Sequence, residues 1–385
     1  MNVERRLIMV RGVYIHIPFC HQICNYCDFN KFYFHNQPVD EYIESLGKEM
    51  ALWKDDLSKG HIETIFLGGG TPTSLSLEQL DRLLTLIQEH IPLDHVKEFS
   101  SEANPDELTL EKMQLMRKFG VNRLSMGVQT FNQDLLKILG RTHSNEHVYK
   151  VIEYAKETNF PSISIDLMYG LPNQTMEQWK ESLQEAFKLN IPHISAYSLL
   201  VEPKTIFYNL LSKGKLSLPG EDLEAEMYGF LMDEMKANGY HQYEISNFSH
   251  EGKASEHNLL YWNNDEYVGL GAGAHGYVNG IRYSNHGPLK KYMQQLDLGE
   301  KPIMMQKEVT YEEKMEEEMF LGLRKNRGVS LTVFEQKYSK TLHEVYGKEI
   351  EELIHKELVA LEEDHIFLTT RGRFVGNEVF QYFLK

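Results

Sequence analysis

All the thiol chemistry available to this chain lies in "FCHQICNYC", residues 19–27, where Cys20, Cys24 and Cys27 follow one another at C-x3-C-x2-C spacing. Thiolates spaced this closely bind soft metal ions or iron–sulfur clusters. A structural zinc site wants four ligands in closed tetrahedral geometry, usually from paired C-x2-C knuckles. Here the fourth donor would have to be a residue such as His16 or His21, and a second knuckle is missing. A cubane cluster held by three thiolates leaves one iron without a protein ligand, which makes room for a small molecule. Three cysteines cannot all pair, and secreted domains of this size usually spread more of them along the chain. They therefore read as reduced thiols in a reducing compartment.

The elements that must position this loop repeat from about residue 12 to 200. Short β-like runs recur as "VYIHIPF", "TIFLGGG", "KEFSSEANP", "NRLSMGVQ", "SISIDLMYG" and "HISAYSL", separated by helical stretches such as "LEQLDRLLTLIQEHI" with apolar residues three and four apart. Six strand-plus-helix units imply a parallel sheet with right-handed crossovers. Six falls short of the eight that close a full barrel, so a partial (β/α)6 barrel is expected, with a doubly wound open sheet as the alternative. The polar and glycine-rich residues cluster just after the strands: the cysteine loop, Gly68 to Thr71, Glu102 with Asn104, Gln129, and the run from Asp166 to Gly170. In β/α barrels that carboxyl rim builds the active site.

After residue 200 the alternation stops. The stretch 201–305 reads as an α+β extension carrying "HNLLYW", and 306–385 as a charged helical domain ending in a winged-helix outline. With acidic helices before it and few bases, that module is expected to pack or bind a partner rather than DNA. "GAGAHG", Gly271 to Gly276, formally fits G-x-G-x-x-G but is followed by strand and turn rather than helix, so a dinucleotide site is rejected. "LGGGTPT" lacks the Gly-Lys-Ser/Thr ending of a P-loop; its bare glycines let the backbone approach a ligand closely. Glu102 suits ribose hydroxyls, as acidic residues do in dinucleotide sites.

The net charge of −16 disfavours nucleic acid and anionic lipid as partners. The first 20 residues lack a signal-peptide pattern, and no apolar window approaches 18 residues, so a cytoplasmic protein without a membrane span is expected.

The cysteine spacing, with Tyr26 before the last thiol, resembles the signature of the radical S-adenosylmethionine (SAM) superfamily. "YIHIPFC", "FLGGGTPT", "SMGVQTFN", "IDLMYGLP" and "HNLLYW", in this order, narrow the resemblance to oxygen-independent coproporphyrinogen III oxidases and their sister group, the HemW-type haem chaperones. The resemblance spans nearly the whole chain. It implies a 4Fe-4S cluster on Cys20, Cys24 and Cys27, whose fourth iron is chelated by SAM. It further implies that Tyr14, Gly69 and Glu102 contact that SAM, and that Gly70, Thr71, Gln129, Arg141 and Asp166 match residues binding a second SAM in the oxidase. Arg141 suits a carboxylate and Asp166 an amine or hydroxyl; an Arg141–Asp166 ion pair bracing the rim is the structural alternative.

Two departures favour the chaperone group over the oxidase: Phe29 stands where the oxidase has a further cysteine, and only 13 residues precede Tyr14. The expected function is then to bind haem and hand it to an acceptor protein, with decarboxylation of coproporphyrinogen as the alternative. His257 would offer an imidazole to haem iron, with Tyr261 and Trp262 as flat faces. A flavodoxin- or ferredoxin-like electron donor is the further implied partner.

Overall fold

The computed structural model describes residues 9–384. Residues 1–8, which begin the stretch read above for a signal peptide, lie outside them, as does Lys385.

Six parallel strands follow the expected runs closely: β1 (Gly12–Ile17), β2 (Thr64–Gly69), β3 (Glu98–Ala103), β4 (Arg123–Gln129), β5 (Ser162–Tyr169) and β6 (His193–Ser198). They lie side by side in sequence order, with every adjacent pair parallel. A doubly wound sheet reverses its strand order at a switch point. No reversal occurs within these six, so the partial barrel is the correct reading and the open-sheet alternative falls. Each strand alternates between two environments. Val13, Ile15 and Ile17 of β1 are fully buried in the main apolar cluster, whereas Tyr14 and His16 meet ligand-sized space inside the barrel.

The crossover helices start where the sequence signals them. Ser76 caps Leu77–His90 with a reciprocal capping box to Gln79, and Thr175 caps Met176–Lys188 likewise with Gln178. These boxes satisfy amide groups that the first helical turn leaves unpaired.

Beyond residue 200 the chain extends the same sheet. On the β6 side it adds β7 (His241–Glu244) and β8 (Asn247–Ser249); on the β1 side it adds β9 (Tyr267–Leu270), β10 (His275–Val278), β11 (Ile281–Asn285) and β12 (Ile303–Glu308). β9 pairs parallel with β1, and β10 to β12 continue antiparallel, giving one twelve-stranded sheet. One apolar cluster runs from Val10 to Leu296, beneath barrel and extension alike.

A separate cluster, from Met315 to Phe383, holds the C-terminal unit. There two helices, Leu331–Tyr338 and Leu342–His355, precede the hairpin Val359–Glu362/His365–Leu368, whose second strand also pairs with Val329–Ser330. A third cluster, with Leu135, Met168, Leu199 and Phe207, lies beyond the carboxyl ends of β4 to β6, and Tyr26 packs against it. Among the described residues no helix is long and apolar enough to cross a membrane.

Candidate cofactor site at the carboxyl rim

The cysteine loop leaves β1 and is pinned at three places. At its base Phe19–Cys20 pairs with Phe32–Tyr33, and the Phe34 amide donates to the Cys20 carbonyl at 2.9 Å. In its middle, Asn25 donates its backbone N–H to Leu139 (2.9 Å) and its side-chain amide to the Ile138 carbonyl (2.8 Å). On the far side the Phe207 N–H donates to the Asn25 carbonyl at 3.0 Å. Cys20 is buried under the turn that follows β2, where the Thr71 hydroxyl points at its Sγ (3.6 Å). Burial pushes the Cys20 thiol up to about 12, so a thiolate there calls for a cationic partner. The Arg141 guanidinium supplies positive charge from the opposite wall, donating to Cys24 Sγ at 3.3 Å.

Two neighbouring cavities open at this rim. The first, about 350 Å³, is lined by all three cysteines together with Gly70, Thr71, Gln129, Arg141 and Asp166. Gln129 reaches it because β4 ends in a bulge, with Gln129 at φ +67°. Arg141 also donates to Asn104 Oδ1 (2.9 Å) and to the Gly127 carbonyl. Asp166 accepts from the Ser125 hydroxyl (3.1 Å), and the Arg141–Asp166 ion pair is not among the ion pairs of the described residues. Both residues are thus braced by neutral partners and face the cavity. Burial raises the Asp166 carboxyl above its usual range, while the Ser195 and Ser125 hydroxyls pull it back.

The second cavity, about 440 Å³, contains Tyr14, Gly69 and Glu102, beside His16, Tyr261 and Tyr267. Gly69 and Glu102 line both cavities, as does Phe29, and the Gly69 N–H donates to Glu102 Oε2 at 3.0 Å. That pair forms a common wall. Gly69 has φ +113°, and a Cβ there would lie 2.5 Å from the His16 ring, so only glycine fits. Burial, then the nearby Asp166, push the Glu102 carboxyl up to about 8, against the pull of the Gly69 amide. His16 is fully engaged: its Nε2 donates to the Asn30 carbonyl (2.7 Å), leaving Nδ1 to accept from the Tyr14 hydroxyl (2.9 Å). Of the first SAM set implied by the resemblance, Tyr14 lines only the second cavity while Gly69 and Glu102 line both; the second set lines only the first cavity, with the cysteines.

His257, expected from the sequence to offer an imidazole to haem, lines neither of these cavities. It belongs to the helix Glu256–Trp262, whose first turn is capped by Glu98 at the amino end of β3 (Glu256 N–H to Oε2, 2.9 Å). The ring is 1% exposed, and its nitrogens bond to the hydroxyls of Thr64 (2.8 Å) and Tyr261 (2.9 Å). It lies against Phe66, and burial lowers its pKa to about 3. Trp262 packs under the Arg324 guanidinium rather than facing a cavity. Of that motif's ring residues, only Tyr261 lines the second cavity. Residues without an assigned role also reach the first cavity, notably Asn104, Ser125 and Tyr197. Their one sequence signal was position on or just after a barrel strand.

The donor set fits an iron–sulfur cluster. Three thiols are spread round one end of a cavity, with a guanidinium on Cys24 and bare glycine backbone alongside. Among the described residues no group of three or more His, Cys, Asp and Glu side chains gathers as one metal ion requires. A cubane asks for something else, since each of its thiolates takes a different iron.

Comparisons with known proteins agree with this geometry. Residues 14–186 match the radical SAM superfamily model, and residues 309–375 match the HemN C-terminal domain. An Escherichia coli structure described as coproporphyrinogen III oxidase (HemN), a radical SAM enzyme, superposes with a TM-score of 0.85 at 25% identity, covering 98% of this chain and 91% of that one. Fold and rim together define a radical SAM protein. A heme chaperone HemW of Bacillus subtilis is 49% identical over 97% of this chain and 99% of its own length, and one of Lactococcus lactis is 45% identical over 97% of each. The chain belongs to the HemW-type haem chaperone family.

Proposed function

We propose that this protein binds haem and passes it to an acceptor protein in the cytoplasm, carrying a 4Fe-4S cluster with exchangeable SAM at its barrel rim. The observation that carries the reading is the near full-length similarity to relatives named heme chaperones, combined with Phe29 at the position where the oxidase places a further cysteine.

Cys20, Cys24 and Cys27 would hold the cluster. When bound, cluster and SAM together supply a low-potential electron and a sulfonium bond that it can cleave. The chain's own residues orient and enclose these groups. Gly70, Thr71, Gln129, Arg141 and Asp166 would bind SAM in the cysteine-lined cavity, Arg141 matching a carboxylate and Asp166 an ammonium or hydroxyl. Tyr14, Gly69 and Glu102 border the same space from the second cavity. Arg141 stands within reach of both Cys24 and that cavity, so one cation would serve thiolate and ligand carboxylate alike. A flavodoxin- or ferredoxin-like protein is the electron donor this chemistry calls for.

The second reading, oxidative decarboxylation of coproporphyrinogen III, is favoured by the oxidase's likeness over both domains. Anaerobic incubation of cluster-loaded protein with SAM, reductant and either coproporphyrinogen III or haem separates the two. Haem uptake, followed by SAM-dependent delivery to an apo-cytochrome, is the expected result. Accumulation of protoporphyrinogen would overturn it.

A further inference from the structure

The "GAGAHG" motif has a place in this site that its failed dinucleotide signature does not reveal. Its turn is clamped against the end of the cysteine loop. Asn30 donates its side-chain amide to the Ala272 carbonyl at 2.8 Å and to the Gly287 carbonyl at 3.1 Å. Gly273 comes so close to Asn30 that a Cβ would lie 2.7 Å from its amide nitrogen. This clamp sets the next residues, Ala274 and His275, on the second cavity.

His16 and His275 are the two histidines lining that cavity, and none lines the first. The ring nitrogens of His16 are both bonded. The ring of His275 is exposed and has no hydrogen-bond partner among the described residues. Phe29, 59% exposed, shares the same cavity. A phenylalanine ring at a cavity lined by further aromatic rings offers a flat apolar ligand a face to stack on. Tyr14, Tyr261 and Tyr267 continue an aromatic lining inward.

We propose that the mouth of the second cavity is the haem site, with the His275 imidazole as axial ligand to iron and the Phe29 ring against the macrocycle. Iron porphyrins take imidazole as an axial ligand, and the neutral ring is the ligating form. Asp28 on the same mouth is the wrong sign for a propionate, so the acid edge of haem faces away from it. The ligand is a surface residue, which suits a cargo that must leave again. The inference rests on the reading that this protein carries haem, and it replaces His257, enclosed at the other end of the barrel, with a histidine that haem can reach.

The test is haem titration of the full-length, cluster-loaded chain under anaerobic conditions, followed by Soret absorption and electron paramagnetic resonance. The native protein should show a nitrogen-ligated haem. His275→Ala, and equally His275→Gln, should lose that signature and bind at least about tenfold more weakly, no less than losing a partner behind a metal ligand costs. Added imidazole should restore the signature to His275→Ala. His257→Ala should keep the signature while losing thermal stability. An unchanged spectrum and affinity in both His275 variants would overturn the assignment, as would a signature lost only in His257→Ala. Failure of the native chain to take up haem at all is a distinct result and would overturn the functional reading itself.

Discussion

Glu49 offers the most quantitative test of how the extension is fixed to the barrel. It sits on the helix Val39–Leu52, is 0% exposed, and accepts hydrogen bonds from the Gly271 amide (2.7 Å), the Tyr292 hydroxyl (2.6 Å) and the Asn285 side-chain amide (2.6 Å). It thereby anchors the turn that leads to His275. Burial pushes its carboxyl up to about 7 from an ordinary 4.5, with the Tyr292, Gly271 and Asn285 bonds pulling the other way. Because the folded value lies above the unfolded one, the contribution to stability is fully present below pH 4.5 and is lost as pH rises through 7. At 1.36 kcal/mol per pH unit the whole window is worth about 3 kcal/mol, of which roughly 1 kcal/mol falls between pH 6 and 8.

Glu49→Gln keeps the volume but carries two donor hydrogens on one atom where the protonated carboxyl has one and the ionised form none, facing the Asn285 amide on one side or the Gly271 N–H on the other. Leaving a buried donor unmatched costs about 2 kcal/mol. Urea unfolding at pH 6, 7 and 8, followed by tryptophan fluorescence, should show the variant less stable throughout. The gap between native protein and variant should narrow by roughly 1 kcal/mol from pH 6 to 8 as the native carboxyl gives up its proton. A gap that stays constant with pH would refute the reasoning, because Glu49 would then titrate alike in folded and unfolded chains.

Gly70→Ala places a Cβ 2.8 Å from the Phe19 carbonyl and 2.9 Å from Cys20 Sγ, a crowding worth about 1–3 kcal/mol; iron and sulfide content after anaerobic reconstitution should fall, with circular dichroism unchanged. His257→Ala strands the Thr64 and Tyr261 hydroxyls and empties the space beside Phe66, so denaturant unfolding should report a loss of about 3 kcal/mol. Phe207→Ala removes a side chain only 1% exposed that backs the cysteine loop through Tyr26. It should cost about 3–5 kcal/mol, and the cluster's absorbance should bleach faster in air than in the native protein.

The barrel was legible because parallel strands alternate with helices of clear 3.6-residue period, and because polar residues gathered after each strand. That pattern alone places the cysteine loop, the glycine turn, Glu102, Gln129 and Asp166 on one rim. The antiparallel continuation from β9 to β12 was far less visible. Those strands span four to six residues and gain their identity by pairing with β1 and with one another. Arg141 was legible as a charge near the rim but not as the partner of Cys24, since that bond joins residues 117 positions apart. The surroundings of His257 were hidden for a related reason. An imidazole in a motif shows no sign of burial, and its enclosure comes from Thr64, Phe66 and Glu98 on strands of the barrel. His275 was hidden inside a motif read only for its glycines.

The wall between the two cavities has a thermodynamic corollary. A guest that hydrogen-bonds the Gly69 amide on one side competes with Glu102, and one that ionises or protonates Glu102 on the other alters what Gly69 offers. Were both cavities filled, two occupants sharing a partition one amide and one carboxylate thick would be energetically linked, and linkage is reciprocal: whatever factor one guest applied to retention of the other, the other would apply in return. Loss of either guest would then alter the hold on its neighbour without any large movement of the barrel.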